Sequence, residues 1–535
     1  MRVIFLAALV AVSGTLAAQQ RDITPIVDRV FSSWNSTTSP GCAVGVARGA
    51  DVLLTRGYGM ADLETGRPIT ETTIFETGSV AKQFTATAVV LLALDGKLSL
   101  DDPVRKLIPE LPDYGQPLTI RHLLTHTSGL REWSSLVALQ GWPRGSRVHK
   151  QSDLLDIVTR QRTLNHKPGE FYSYTNSGYG LLFTLVERAS GQTFAKFTTG
   201  RIFTPLGMSN TRWRDDFTRV VPGRAQAYDR QPDGWHLEMP FENVVGPGGL
   251  LSTVGDLLKW NAALANKTLG GGAAVVDSLS RRPRLTGVGG RGRESEYAFG
   301  LSFTSYRGVP EVSHGGATAG YRTFLARYPT QGELSIAVMC NAGNANAGSF
   351  AHQIADSVIA FPAVALDTVA LDTVRFAQLV GGYRNTRTHE PLLIRRAQAA
   401  QYRSFRDGSL YFINGRLRIL LDSTPRGARS ISADDDTVQW RHAGDGPWAP
   451  TAAQLQAFAG EYRSDELGIT YRVAVVNDTL TVSPRPGVVE KFRPTYPDGF
   501  GGAAGIWFER DRGRVTAMHF SQSRVWDLVV PKVAR

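Results

Sequence analysis

Apolar residues crowd without interruption over Gln83-Phe-Thr-Ala-Thr-Ala-Val-Val-Leu-Leu-Ala-Leu94, a run of good helix formers that lacks Gly and Pro and is stopped by Gly96. It predicts a helix opened by Ser79-Val-Ala-Lys82. Upstream, Gly41 to Arg48 and Asp51 to Gly59 read as two strands joined by a Gly-containing turn, most simply a hairpin. From residue 80 to about 270 the period is helical between Pro- and Gly-rich breaks, as in the stretches starting at Ser152 and Gly255. Strand-like runs return at Ala298 to Tyr306, Tyr321 to Tyr328 and Leu334 to Cys340, and a last helix is expected from Ala347 to Phe361. Strands at both ends with helices between them predict an α+β fold whose sheet is closed by sequence-distant segments.

The pattern then changes. Ala365-Leu-Asp-Thr-Val is repeated at once as Ala370-Leu-Asp-Thr-Val374, which reads as a linker over 362–375. Beyond it short strands alternate with Gly, Asp and Asn turns, and the chain repeats itself. Leu379-Val-Gly-Gly-Tyr-Arg384 is echoed by Phe458-Ala-Gly-Glu-Tyr-Arg463, and Asp407-Gly-Ser-Leu410 by Asn477-Asp-Thr-Leu480. Two matches at one spacing predict duplicated small antiparallel β-barrels, at 376–448 and 455–533; one larger barrel built from both halves is the alternative.

Length and composition add bounds. A chain of 535 residues is too long for one core, and 42% hydrophobic with 20% charged residues places it with globular proteins and excludes disorder. Residues 1–18 carry one early charge, Arg2, then the apolar run Ile4 to Val12 and small residues, the pattern of a secretory signal peptide too short to anchor in a membrane. The expected location is therefore periplasmic or secreted, with no stable membrane anchor. The net charge of +11 is carried mainly by dispersed Arg, with ten Lys among 59 basic residues, which argues against a nucleic-acid partner. Cys42 and Cys340 are too few for a disulfide scaffold; export permits one bridge, but each sits in a strand-like run and they read as buried free thiols. His122 and His126 have i, i+4 spacing, yet Leu123-Leu124 between them and the Thr-Ser-Gly turn after them look structural, so no metal or cofactor is expected.

Candidate chemistry centres on Ser79. An S-x-x-K at a helix start puts the Lys82 amine over the Ser79 hydroxyl, and the positive helix end favours an oxyanion there. Lys82 serves as a base only if burial or a cationic neighbour depresses its pKa. A second proton carrier is available in Tyr174 of Tyr174-Thr-Asn176, where a tyrosine beside an ammonium shares its proton, and Asn176 holds Lys82 and a substrate amide. His314-Gly315-Gly316, placed just before a predicted strand, lets a substrate approach the backbone, and the Ala317 N–H pairs with that of Ser79 as an oxyanion hole.

In this order Ser79-x-x-Lys82, Tyr174-x-Asn176 and His314-x-Gly316 resemble the serine β-lactamase and penicillin-binding protein superfamily, in its class C-like branch. Leu123 to Leu130, Pro168-Gly169 and Gly246 to Asp256 are similar to that branch's structural signatures, so the likeness covers about residues 22 to 361. It implies a sheet flanked by helices with a helical lobe, Ser79 as acylated nucleophile, Lys82 and Tyr174 sharing the base work, and Asn176 and His314 lining the cleft. Class C β-lactamases usually carry Lys-Thr-Gly at the third motif; a neutral His314 is a weaker carboxylate anchor. His-x-Gly there, the duplicated tail and Ser128-Gly-Leu-Arg-Glu132 are instead similar to D-aminopeptidases with two C-terminal barrels, in which a loop of the last barrel reaches the cleft. Pro497 to Gly505 is the expected loop. The implied activity is hydrolysis of D-amino-acid-containing peptides, with peptidoglycan fragments or a small ester as substrates; a broad esterase, a weak β-lactamase or a catalytically vestigial envelope-binding protein are the alternatives.

Overall fold

The computed structural model describes residues 22–287, 292–362, 368–405, 410–412, 417–423, 429–433 and 436–534. The expected signal peptide at 1–18 and the repeat segment 407–409 lie outside them. Six strands form the first sheet: β1 Cys42–Arg48, β2 Asp51–Tyr58, β3 Ser302–Tyr306, β4 Val309–Thr318, β5 Tyr321–Tyr328 and β6 Leu334–Cys340. Their order is β3-β4-β5-β6-β1-β2, antiparallel throughout. The N-terminal hairpin is thus closed by strands from about 300 residues later, as the apolar runs predicted.

Six helices matter for the site: α1 Thr24–Val30, α2 Lys82–Leu94, α3 Trp133–Leu139, α4 Asn176–Ser190, α5 Val254–Ala265 and α6 Ala347–Val358. Strand β1 is buried on both sides, so its residues divide between two cores by the period of two. Cys42, Val44 and Val46 pack with Val27 of α1 and Ile354 of α6; Ala43 and Ala47 belong to the opposite core with Leu258 of α5. Gly45 points to that second face, where a Cβ would lie 2.9 Å from Leu258 Cδ1 and 3.2 Å from Val254 Cβ, so the glycine lets α5 pack closely on the strand. Helix α2 is buried on nearly every side from Lys82 to Leu92 and forms the centre of the helical lobe.

The register of β1 on β6 sets Cys42 directly opposite Cys340, both in the α1/α6 core, and the two are joined as a disulfide. This corrects the reading as free thiols. Strand-like runs 298 residues apart carry no register information, and register is what made the pair.

Two eight-stranded antiparallel sheets follow. In the second, strands succeed one another in chain order from Gly460–Ser464 to Val525–Pro531, and a Tyr462–Lys532 bridge brings its ends together into a nearly closed barrel. The repeated motif marks equivalent places. Tyr383 and Tyr462 each follow a short helix and donate their hydroxyl to the carbonyl four residues back, Leu379 at 2.8 Å and Phe458 at 2.7 Å. The expected linker is partly built into the first of these sheets: Thr368–Val369 pairs with the strand Tyr402–Phe405, and a helix runs over Thr373–Leu379 with Val374 N–H bonded to Asp372. No helix among the described residues is long and apolar enough to cross a membrane.

Candidate active site

Ser79 does not open the α-helix itself. Gly78–Ala81 forms a 3₁₀ turn and Lys82 begins α2, yet three residues still separate the hydroxyl and the amine along one face. Gly78 has φ of +52°, and a Cβ there would lie 2.6 Å from the Ala317 nitrogen; one on Gly316 would lie 2.0 Å from the Thr77 carbonyl oxygen. Strand β4 therefore presses onto the turn, bringing the Ser79 and Ala317 backbone amides to one corner of the cleft. His314 lies within this strand, which the sequence pattern did not announce, and precedes the expected strand β5.

Lys82 is completely buried behind Ser79. Its Nζ donates to Ser79 Oγ at 3.0 Å, Asn176 Oδ1 at 2.8 Å and the Pro247 carbonyl at 2.7 Å. Burial drives its pKa well below the ordinary lysine value; the Glu132 carboxylate opposes this, while Arg524 and Arg144 add to it. Tyr174 is hydrogen-bonded to Ser79, and Lys82 Nζ lies 4.9 Å from its ring centroid. Burial raises the Tyr174 pKa far above that of a free phenol, and the Ser79 hydrogen bond offsets only part of that rise.

The Tyr174 loop is held by the Thr125-His-Thr-Ser-Gly129 turn. Ser173 N–H donates to the His126 carbonyl at 2.8 Å, Thr175 N–H donates to His126 Nδ1 at 3.2 Å, and the His126 and Tyr174 rings lie 4.2 Å apart. His122 instead shares a capping box with Thr119, so the two histidines face different partners. Among the described residues no cluster of His, Cys, Asp or Glu is placed to hold a metal ion.

His314 is buried, with Nδ1 2.6 Å from the Gly315 carbonyl and Nε2 3.1 Å from the Tyr297 hydroxyl. These partners assign the proton to Nδ1 and make Nε2 the acceptor. Desolvation and the nearby Lys82 push its pKa down to about 4, so the ring is neutral at pH 7. Both ring nitrogens are occupied within the protein.

Ser79, Tyr174 and Asn176 thus face His314, Gly315, Gly316 and Ala317 across a cleft of ≈ 900 Å³, with Lys82 just behind. Three contributors were not singled out for the site from sequence. The Pro247 carbonyl takes one Lys82 hydrogen bond, and Tyr297 fixes His314. Glu132 is buried and accepts from Asn176 Nδ2 at 3.1 Å, from Thr175 Oγ1 at 3.1 Å and from the Asn176 backbone N–H. The Ser128-to-Glu132 segment was the available signal for Glu132.

The last barrel does reach the cleft, but through a different loop from the one expected. Ala503 and Ala504 of the Pro497–Gly505 segment line, with Leu139 at the end of α3 and Gly141 just past it, a separate pocket of ≈ 370 Å³. The turn between strands Arg514–Gln522 and Val525–Pro531 carries Arg524 into the cleft. Glycine content drew attention to the wrong turn, because reach depends on which barrel turn docks beside Glu132.

The family model of the β-lactamases matches residues 21–359, and the chain belongs to that family. It is 30% identical over 302 residues to penicillin-binding protein 4* of Bacillus subtilis, covering 53% of this chain and 64% of that protein. To a D-aminopeptidase of Gluconobacter oxydans it is 29% identical over 308 residues, 56% of each chain. The chain therefore spans less than two thirds of the length of these relatives. The solved structure of an octameric penicillin-binding protein homologue from Pyrococcus abyssi superposes with a TM-score of 0.57 at 20% identity, over 95% of this chain and 99% of that one. The likeness of fold thus extends through the C-terminal sheets.

Proposed function

We propose that this protein is an exported serine hydrolase that forms an acyl-enzyme on Ser79 and cleaves amide or ester bonds in D-amino-acid-containing peptides, cell-wall fragments among them. The observation that carries the reading is the buried Lys82 amine 3.0 Å from Ser79 Oγ, where desolvation favours the neutral form; in that form its two N–H bonds go to Asn176 Oδ1 and the Pro247 carbonyl and its lone pair accepts the Ser79 hydroxyl proton.

The environments divide the proton work. Lys82, pushed toward the neutral amine, takes the Ser79 proton as Oγ attacks the carbonyl carbon; Tyr174, kept a phenol by burial, gives its proton to the leaving nitrogen or oxygen. Both groups meet at Ser79 Oγ, so when water attacks the acyl carbonyl the Tyr174 phenolate takes the water proton, and as the ester bond breaks Lys82 returns its proton to Ser79 Oγ, restoring all three groups. The Ser79 and Ala317 N–H groups receive the oxyanion, and one such donor is typically worth about a hundredfold in rate. Asn176, oriented by Glu132, offers its amide to substrate while its Oδ1 holds Lys82.

The leader-like pattern of residues 1–18 and the Cys42–Cys340 bridge support export, since disulfides persist in oxidising compartments. The names of the relatives, a D-aminopeptidase among them, support D-amino-acid substrates. A vestigial binding protein is disfavoured by a hydrogen-bonded, buried Lys82, which is costly to retain without chemistry.

A substrate panel tests the substrate class. D-alanine p-nitroanilide should be turned over with a kcat/KM at least about tenfold above its L-isomer and above a chromogenic cephalosporin. Turnover of a short-chain nitrophenyl ester without discrimination between the anilide isomers would make the protein a broad esterase instead.

A further inference from the structure

Of the arginines that line the cleft, two are already engaged. Arg144 is ion-paired with the buried Glu242 carboxylate, and Arg322 Nη1 donates to the Ala319 and Tyr321 carbonyls. Arg524 differs. Its guanidinium lies 4.9 Å from the Tyr174 ring centroid and makes neither a hydrogen bond nor an ion pair with the described residues.

The turn bearing it is firmly placed. The Arg524 carbonyl accepts from the Glu132 backbone N–H at 3.1 Å and from Asn165 Nδ2 at 3.1 Å, and Asn165 Oδ1 accepts from Trp526 N–H at 2.8 Å. The Trp526 ring packs 5.2 Å from His166. Near this junction the buried Arg131 meets Glu466 of the barrel at 2.8 Å. The main chain thus fixes the turn and leaves the side chain for the cleft.

A cation held over the ring of the candidate proton donor and left without a carboxylate is an anion site. Its natural ligand is a carboxylate, which the planar guanidinium takes in a bidentate pair. The neutral His314, whose nitrogens are both occupied, cannot supply that charge. We propose that Arg524 is a specificity-determining residue that selects substrates carrying a carboxylate beside the scissile bond. The inference rests on the hydrolase reading above.

The test compares matched substrates differing only in that charge: acetyl-D-Ala-D-Ala against its C-terminal amide for the leaving-group side, and succinyl-D-Ala-p-nitroanilide against its succinamide for the acyl side. Each pair gives a ratio of kcat/KM, carboxylate over amide. Any effect of Arg524 on Lys82 is common to both members and cancels. In R524Q one ratio should fall at least about tenfold, the usual reach of a charge-assisted hydrogen bond. R524K should recover part of it, and R524E should invert the preference; the pair that responds identifies the side. Ratios unchanged in both pairs, with Ser79→Ala inactive, would overturn the role of Arg524 alone. Turnover surviving Ser79→Ala would instead overturn the hydrolase reading.

Discussion

Lys82→Ala is expected to lower kcat/KM for every substrate by about 10³-fold, within the range of losses seen when a positioned base is removed. The size follows from the absence of a substitute. Tyr174 is held in its phenol form by burial, His314 has both nitrogens engaged, and Glu132 is committed to Asn176 and Thr175. The pH profile of the unmutated protein should carry the same signature. Lys82 has a lowered pKa, so its neutral, active form persists well below the pH at which a free lysine gains its proton, and activity falls only as acidification protonates it. His314, with a pKa of about 4, contributes no step between pH 5 and 8. The raised Tyr174 pKa postpones loss of the proton donor to strongly alkaline pH. Steady-state rates across pH, for wild type and Lys82→Ala, check this; a variant keeping more than about a tenth of the activity would remove Lys82 as base.

The second large effect is on stability. Glu76, three residues before Ser79, is 1% exposed and paired with Arg214, also 1% exposed, at 2.8 Å, and with Arg224 at 3.3 Å. Desolvation would raise the Glu76 pKa, yet Arg214, Arg224 and Arg144 together hold it below the ordinary value of 4.5. Arg214→Met strands the carboxylate against one partly buried arginine, and losing one partner of a buried pair costs about 3–5 kcal/mol. Denaturant unfolding of the transition that includes the family region should show that loss, and adding Glu76→Gln should recover part of it. The sign with pH follows from the lowered pKa. The ionised pair stabilises fully above the pKa of an unfolded glutamate and fades as pH falls through the lower folded value. A change below about 1 kcal/mol in Arg214→Met would show that the cluster does not hold the Ser79 turn.

What the chain disclosed in advance was local. Strand-like runs announced β5 and β6 to the residue: β6 is buried along its whole length with Ser335 as its one polar residue, and β5 is rich in aromatic and aliphatic side chains bounded by turns. The expected strand from Ala298 shortened to Ser302–Tyr306, and the last helix ended at Val358, where Ile359 turns extended three residues before Pro362. Ser79, Lys82, Tyr174, Asn176 and His314 were legible because each lies in a short motif whose order is informative. Pro247, Tyr297 and Arg524 were not, since a carbonyl, a single ring and a barrel turn join the site only through packing between distant segments. The Cys42–Cys340 bridge was hidden for the same reason.

The central claim, a covalent acyl-enzyme on Ser79, is tested most directly by intact-mass analysis of protein quenched during turnover of a D-alanine ester, followed by peptide mapping. The account predicts one added acyl group on the peptide containing Ser79, absent in Ser79→Ala together with turnover. An adduct mapped to another residue, or continued hydrolysis by Ser79→Ala, would contradict it.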